Sequence, residues 1–296
     1  MGDAGPGTIS ATSRPSETLY LHKGEKCFLL REAVEGNYLR GSIEVRIGGL
    51  VDLSTVDWPS KLCSVVFFSG CNFRCPFCQN AKLIDPSYGK LMSVSDLVKL
   101  VERGKPLIEG VVITGGECTL QLEGLVELCR ALKERGLGVG IDTNGSNPKA
   151  IERLLEEKVV DRVAIDVKAP LKPEVYERVV GLPGHGNEVV TALERSLDAL
   201  LRSPIEVEVR TLIVPGLVDQ PEQVKEVAKR VKGCTRLVLQ QFRPEAELLD
   251  PSFKSIKAPE RVLLLALAKV ALREGIENVC IRTKEGGLER VRRVSA

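Results

Sequence analysis

The chain has 296 residues, 43% of them hydrophobic, which is enough to bury the core of one α/β domain of ordinary size. A formal net charge of +2 gives no bulk electrostatic argument for nucleic acid or a membrane surface, and no apolar run is long enough for a membrane-spanning helix. Nine cysteines in a chain too large to need disulfide staples point to a reducing compartment and to a metal or catalytic role for some of them.

Residues 1–17 are rich in Gly, Ser, Thr and Pro and read as a disordered tail. They hold no positive stretch followed by an apolar one, so no secretory signal is expected and the default location is cytoplasmic. Residues 18–50 carry short strand-like pieces at 19–21, 27–30 and 43–47, expected to form a small β extension at one edge. The core domain is expected over 51–245, with 246–296 adding a last helix and strand that complete it.

Within the core, β-branched runs alternate with longer amphipathic stretches. Strands are expected at 63–68, 110–114, 138–142, 160–167, 205–214 and 236–240, with a seventh run at 279–282. Between them Leu97, Leu100 and Val101 share one helical face, as do Leu122, Leu125, Leu128 and Leu132. The stretch 261–272 is apolar enough to expect a mostly buried helix. Alternating β and α elements imply parallel strands with crossover helices. Six such units suit a partial (β/α)6 TIM-like barrel better than a full eight-unit one.

Cys71, Cys75 and Cys78 stand at C-x3-C-x2-C spacing directly after the first core strand. That places them in a loop at a strand's C-terminal end, the face where barrel chemistry sits. An electron-carrier cluster and a structural zinc site each want four ligands, and neither histidine, His22 or His185, is nearby. Three thiolates would leave one iron of a cluster open to a small molecule. A zinc knuckle with a distant fourth ligand, or plain buried thiols, are the bland alternatives.

The stretch from Ser54 to Asn80, with Asp57-Trp-Pro-Ser-Lys61 and the Cys71 loop, resembles the radical S-adenosylmethionine (SAM) activating enzymes of glycyl-radical proteins. These activate pyruvate formate-lyase and anaerobic ribonucleotide reductase. The resemblance runs to about Pro244, through short motifs in the family's order. It implies a radical SAM barrel in which the three cysteines hold a 4Fe-4S cluster and the SAM amino and carboxylate groups chelate the fourth iron. Reduction then splits SAM into methionine and a 5′-deoxyadenosyl radical. Phe77, Gln79 and Asn80, around the last cysteines, join the implied cofactor site. Gln79 stands where the family often has His, and Asp57-Trp-Pro-Ser60 replaces its Asp-Gly-Pro-Gly. Trp58, the only tryptophan, reads equally as core or as a partner contact.

Thr114-Gly-Gly-Glu117 ends the second strand. Gly115 and Gly116 remove side chains where a ligand must approach backbone, and Glu117 can accept from a ligand ammonium. The resemblance makes this the segment that holds the SAM amino group. Cys118 takes the place of the family's usual Pro. Asp142, Thr143 and Asn144 end the third strand, and Asp166, Val167 and Lys168 the fourth. Carboxylates and hydroxyls at a barrel mouth suit ribose hydroxyls or a hard cation, and the resemblance implies a monovalent cation beside SAM and a SAM contact near Lys168. On the fifth strand Glu206, Glu208 and Arg210 share one face, favoured as lumen-lining, so that Arg210 could meet the SAM carboxylate.

The resemblance implies an enzyme that takes an α-hydrogen from a glycine of a partner protein. Cys27, Cys63, Cys129, Cys234 and Cys280 are isolated, so the electron is expected from a flavodoxin or ferredoxin. Two alternatives stand beside it. One is a radical SAM enzyme acting on a small molecule, like 7-carboxy-7-deazaguanine synthase. The other is a non-enzymatic iron–sulfur or zinc module.

Overall fold

The computed structural model describes residues 19–21, 25–27 and 43–293. The expected tail at 1–17 and most of the piece at 27–30 lie outside the described residues. A short antiparallel pair, β1 (Leu19–Leu21) and β2 (Glu25–Cys27), precedes the long strand β3 (Glu44–Ser54). β3 pairs antiparallel with β4 (Cys63–Phe68) on one side and with β5 (Lys90–Ser93) on the other.

The repeating part then begins. Helix α1 (Val94–Glu102) leads to β6 (Gly110–Gly115), α2 (Leu122–Glu134) to β7 (Gly138–Thr143), and α3 (Pro148–Glu156) to β8 (Arg162–Asp166). Two helices, α4 (Pro173–Val180) and α5 (Gly186–Leu201), precede β9 (Glu206–Ile213). Then come α6 (Pro221–Arg230), β10 (Arg236–Gln241), α7 (Arg261–Arg273), β11 (Val279–Thr283) and the antiparallel β12 (Gly287–Val291).

Local chemistry sets the helix ends. The Ser93 hydroxyl accepts from Asp96 N–H at the start of α1, and Asn147 caps α3 with Pro148 in its first turn. Gln220 and Gln223 form a reciprocal capping box on α6.

Among the described residues ten strands form one sheet, in the order β12-β11-β10-β9-β8-β7-β6-β4-β3-β5. Seven consecutive members, β4 and β6 to β11, are parallel and joined by six crossovers. This is the partial (β/α)6 barrel expected. One correction concerns α7: Leu264, Leu267 and Ala268 are buried, but Val262 is exposed, because the helix carries Arg261, Lys269 and Arg273 on an outer face.

Alternation splits the interior in two. One set of strand side chains packs outward against the helices, joining Ile113, Ile141 and Ile165 to Leu97, Leu125 and Ile151. The inward set divides by chemistry. On β4 and β6 it is apolar, with Cys63, Val65, Phe67 and Val112 gathered round Trp58. On β8 to β11 it is charged, with Arg162, Glu208, Arg210 and Arg282 all buried. Trp58 closes the lumen at the strands' N-terminal ends. A methyl added at Gly110, Gly138 or Gly140 would meet the indole at 3.1–3.3 Å, so these glycines make room for it. Its ring N–H donates to Glu206 at 3.3 Å and Lys61 lies 4.3 Å above the ring. At 2% exposure Trp58 is a core residue, not a partner contact.

Candidate active site

The loop from Ser69 to Asn80 leaves the C-terminal end of β4 and is tied down on several sides. Gly70 N–H donates to Leu83 O (2.8 Å), Cys71 N–H to Ile84 O (3.2 Å) and Arg74 N–H to Val180 O (2.8 Å). Asn72 links the loop to the end of β7, donating to Ser146 Oγ at 2.8 Å and accepting from Asn144 at 3.0 Å. A segment beyond β10 crosses the far side. There Leu249 N–H donates to Cys78 O (3.1 Å) and Asp250 N–H to Pro76 O (2.9 Å). Phe253 of that segment packs against both Phe77 and Phe242, with ring centroids 6.4 and 6.5 Å apart.

Cys71, Cys75 and Cys78 are free thiols on one wall of a cleft. Burial pushes Cys71 up to about 11 and Cys75 up to about 12, and raises Cys78 as well. In this environment the thiols are neutral until a metal replaces their protons. Phe73 N–H points at Cys71 Sγ across 3.4 Å. The Lys168 ammonium acts on all three thiols, favouring their charged forms. Burial works against that ammonium, but Asp166, at 2.8 Å, and then Cys75 hold it well above its ordinary range.

Opposite the thiols, the strand ends form the rest of the cleft, which encloses about 1060 Å³ including its mouth. Gln79 and Asn80 flank the thiols; Gly115 and Gly116 floor the β6 end. Gly115 has φ +126°, and a side chain there would run into the Phe68 backbone. Asp142, Thr143, Asn144, Asp166, Lys168, Arg210 and Phe77 complete the set of expected residues that the fold brings together.

Two expected residues are not on the cleft wall. Glu117 is 1% exposed and faces into the body of the protein. Its carboxylate accepts from the Thr119 hydroxyl (2.6 Å) and N–H, the Thr143 hydroxyl (2.7 Å) and Asn144 N–H (2.6 Å). Burial raises its pKa despite these bonds. Glu117 therefore holds the β7 end in place, with both oxygens engaged inside the protein and away from the cleft wall. Val167 is fully buried; its carbonyl accepts from the Thr211 hydroxyl and its N–H donates to Arg210 O.

The lumen charges lie just below. Arg210 donates to Asp142 at 2.8 Å and to Glu208 at 2.7 Å. Asp142 also faces Arg162 at 3.5 Å. The carboxylates to which the resemblance assigns a monovalent cation are thus both ion-paired already, Asp142 to arginines and Asp166 to Lys168. A cation there would compete with fixed positive charges, so these carboxylates do not fit it.

Some cleft residues escaped the sequence reading: Phe73, Ile84, Thr114, Leu212 and Gln240. Leu212 and Gln240 could have been found by continuing the inward alternation of β9 and β10. Asn72 and the segment 249–253 had no local signal, since their partners are distant in sequence.

The donor set fits a 4Fe-4S cluster with SAM. Three free thiols share a wall, a main-chain N–H meets one sulfur, and an ammonium stands beside them. Among the described residues no fourth cysteine lines the cleft, and no three His, Cys, Asp or Glu side chains are grouped to hold a single ion. A cluster does not ask the sulfurs to converge on one point, because each binds a different iron.

The radical SAM superfamily model matches residues 65–231. A Methanocaldococcus jannaschii chain, provisionally assigned as a glycyl-radical enzyme activating enzyme, is 37% identical over 243 residues, covering 82% of this chain and 98% of that one. The pyruvate formate-lyase-activating enzyme of Clostridium pasteurianum is 31% identical over 192 residues, 64% of this chain and 76% of its own. In fold, a radical SAM methyltransferase from Sphaerobacter thermophilus superposes with a TM-score of 0.61 at 19% identity, covering 92% of this chain and 77% of that one.

Proposed function

Because the chain belongs to the radical SAM superfamily, whose cofactors are a 4Fe-4S cluster and SAM, we propose that it installs a glycyl radical on a partner enzyme. The observation that carries the proposal is the cleft itself. Cys71, Cys75 and Cys78 line one cleft with Lys168, Asp166 and Asn144, with no fourth cysteine among the described lining residues. Relatives named as activating enzymes favour a protein substrate over a small molecule.

When bound, the cofactor pair supplies reductive cleavage of SAM to methionine and a 5′-deoxyadenosyl radical, which takes the α-hydrogen of a glycine. The chain's own residues hold and shield that chemistry. Cys71, Cys75 and Cys78 would each take one iron. Gly115 and Gly116 leave backbone exposed where the ligand rests, and Asn144 and Asp166 present polar groups to it. Phe73, Phe77, Ile84 and Leu212 keep water from the same space. The open side of the partial barrel admits a peptide loop.

An external flavodoxin or ferredoxin would supply the electron. The reading puts the protein in the cytoplasm, in keeping with the eight cysteines whose side chains are described, all of them free. Among the described residues no helix is long and apolar enough to cross a membrane.

The test is anaerobic. Cluster-loaded protein, reductant and SAM are mixed with a glycyl-radical enzyme encoded beside it, and a glycine-centred EPR doublet is expected. SAM cleavage without that doublet on any such partner would redirect the reading to a small-molecule substrate. No SAM cleavage at all would overturn it.

A further inference from the structure

The lumen of the barrel carries its charged side chains in rows set by strand register. Asp166, Arg210, Val238 and Cys280 lie in one row across β8 to β11. One step toward the mouth, Leu212, Gln240 and Arg282 form the next. Arg210, Leu212 and Gln240 line the cleft; Arg282, not itself a lining residue, is the register neighbour of Gln240 on the next strand.

Every other arginine of the lumen is paired. Arg162 reaches Glu208 at 3.1 Å; Arg236 reaches Glu206 at 2.6 Å and Glu208 at 3.1 Å; Arg210 holds Asp142 and Glu208. Arg282 differs. It is 5% exposed, its Nε and Nη2 have no hydrogen-bond partner, and no described carboxylate lies within ion-pair distance. Glu208, Asp57 and Asp142 act on it only from farther off, and Asp57 takes the Ser54 hydroxyl at 2.5 Å. Arg210 Nη2 also has no partner. Around the lumen Arg162, Arg210 and Arg236 share the carboxylates Asp142, Glu206 and Glu208, and Arg282 alone of the four arginines has no ion pair.

A buried, unpaired guanidinium is costly, and a structural arginine would be expected to have a fixed acceptor. Burial, then repulsion from Arg210, pushes Arg282 down to about 10, which still leaves it charged at neutral pH. An oxyanion would relieve both arginines together.

We propose that Arg282, with the free edge of Arg210 and the Gln240 amide, forms an oxyanion subsite that binds a carboxylate or phosphate group of the substrate. It lies at the opposite end of the parallel array from β4, which carries the thiols. Only in assigning the thiol end to SAM does the subsite rest on the proposed function.

Acetate and inorganic phosphate serve as probes of the two anion types. Their binding to cluster-loaded, full-length protein is measured by calorimetry and thermal melting at constant ionic strength, with and without SAM. One probe should bind and raise the melting midpoint, whether or not SAM is present, and the tighter of the two identifies the group recognised. Arg282→Met should weaken that binding about tenfold or more. Without anion it should melt above the wild type, because the unpaired charge is gone; Arg282→Gln serves the same comparison if the Met variant does not fold. An equal anion response in the variants would overturn the subsite, as would competition between the probe and SAM. A wild type that binds neither probe, with variants that melt lower, would make Arg282 a structural residue. Failure to bind SAM would count against the proposed function alone, since the anion response is read without it.

Discussion

The Phe253 ring lies 6.4 Å from that of Phe77, tilted by 53°, and so ties the chain beyond β10 to the middle of the cysteine loop. The Leu249 and Asp250 N–H groups clamp the same loop through Cys78 O and Pro76 O. Together they place a cover over the side of the loop that no barrel strand reaches. Phe253→Ala should leave the strands and the thiols in place and remove this cover. The expected loss is about 0.5–1.5 kcal/mol of global stability from the ring contacts. The larger effect is expected in cluster retention: the brown chromophore should bleach several-fold faster in air, followed by visible absorbance.

The three thiols should behave as a unit, and the remaining cysteines should not matter to them. Cys71→Ala, Cys75→Ala or Cys78→Ala is expected to abolish cluster assembly, measured as iron per chain and visible absorbance after anaerobic reconstitution. Cys234→Ala should load fully, since Cys234 packs at the outer core away from the cleft. Loss of the cluster in Cys234→Ala would refute the ligand assignment.

Much of the barrel was legible because its strands are short β-branched runs between amphipathic helices. The run at 63–68 coincides with β4, and the other six strands of the parallel array differ from expectation by one or two residues at an end. The cysteine spacing and its place after a strand were equally local signals. Side-chain direction was less legible where the backbone turns. Gly115, at φ +126°, redirects the chain so that Glu117 enters the protein interior rather than the cleft. Alternation put Glu206, Glu208 and Arg210 on one face, as found, but not their partners. Those depend on the register of strands up to 68 residues away in sequence, as for Arg210 and Asp142.

Glu208 makes the acid limb of stability depend on the lumen. Burial alone would raise its carboxyl, yet Arg210, then Arg162 and Arg282, outweigh burial and hold it far below the usual carboxylate range. Its folded pKa is therefore lower than its unfolded value of 4.5. The stabilisation is full above that value and is lost as pH falls through it toward the folded pKa, with a slope of up to about 1.4 kcal/mol per pH unit. Far-UV circular dichroism melts below pH 4.5 should show this slope, and Glu208→Gln should flatten it. At neutral pH the same variant should cost about 3–5 kcal/mol, because it strips the arginines of their shared acceptor.

Trp58 offers a test of how the lumen is closed. Its indole fills the space left by Gly110, Gly138 and Gly140, and its N–H reaches Glu206, which also binds Arg236. Trp58→Ala would open a cavity beneath the charged rows and leave one Glu206 contact unmade, at a cost of about 3–5 kcal/mol. Trp58→Phe should recover most of the packing but not the hydrogen bond, and so fall between the two. The thiols lie at the other end of the strands, so iron content per folded chain should be unchanged in both variants. As the only tryptophan, Trp58 also reports its own environment: native emission should be blue-shifted and should move to the red in a single step on denaturation. Red-shifted emission from the native protein would place the indole in solvent and remove the case for a plugged lumen.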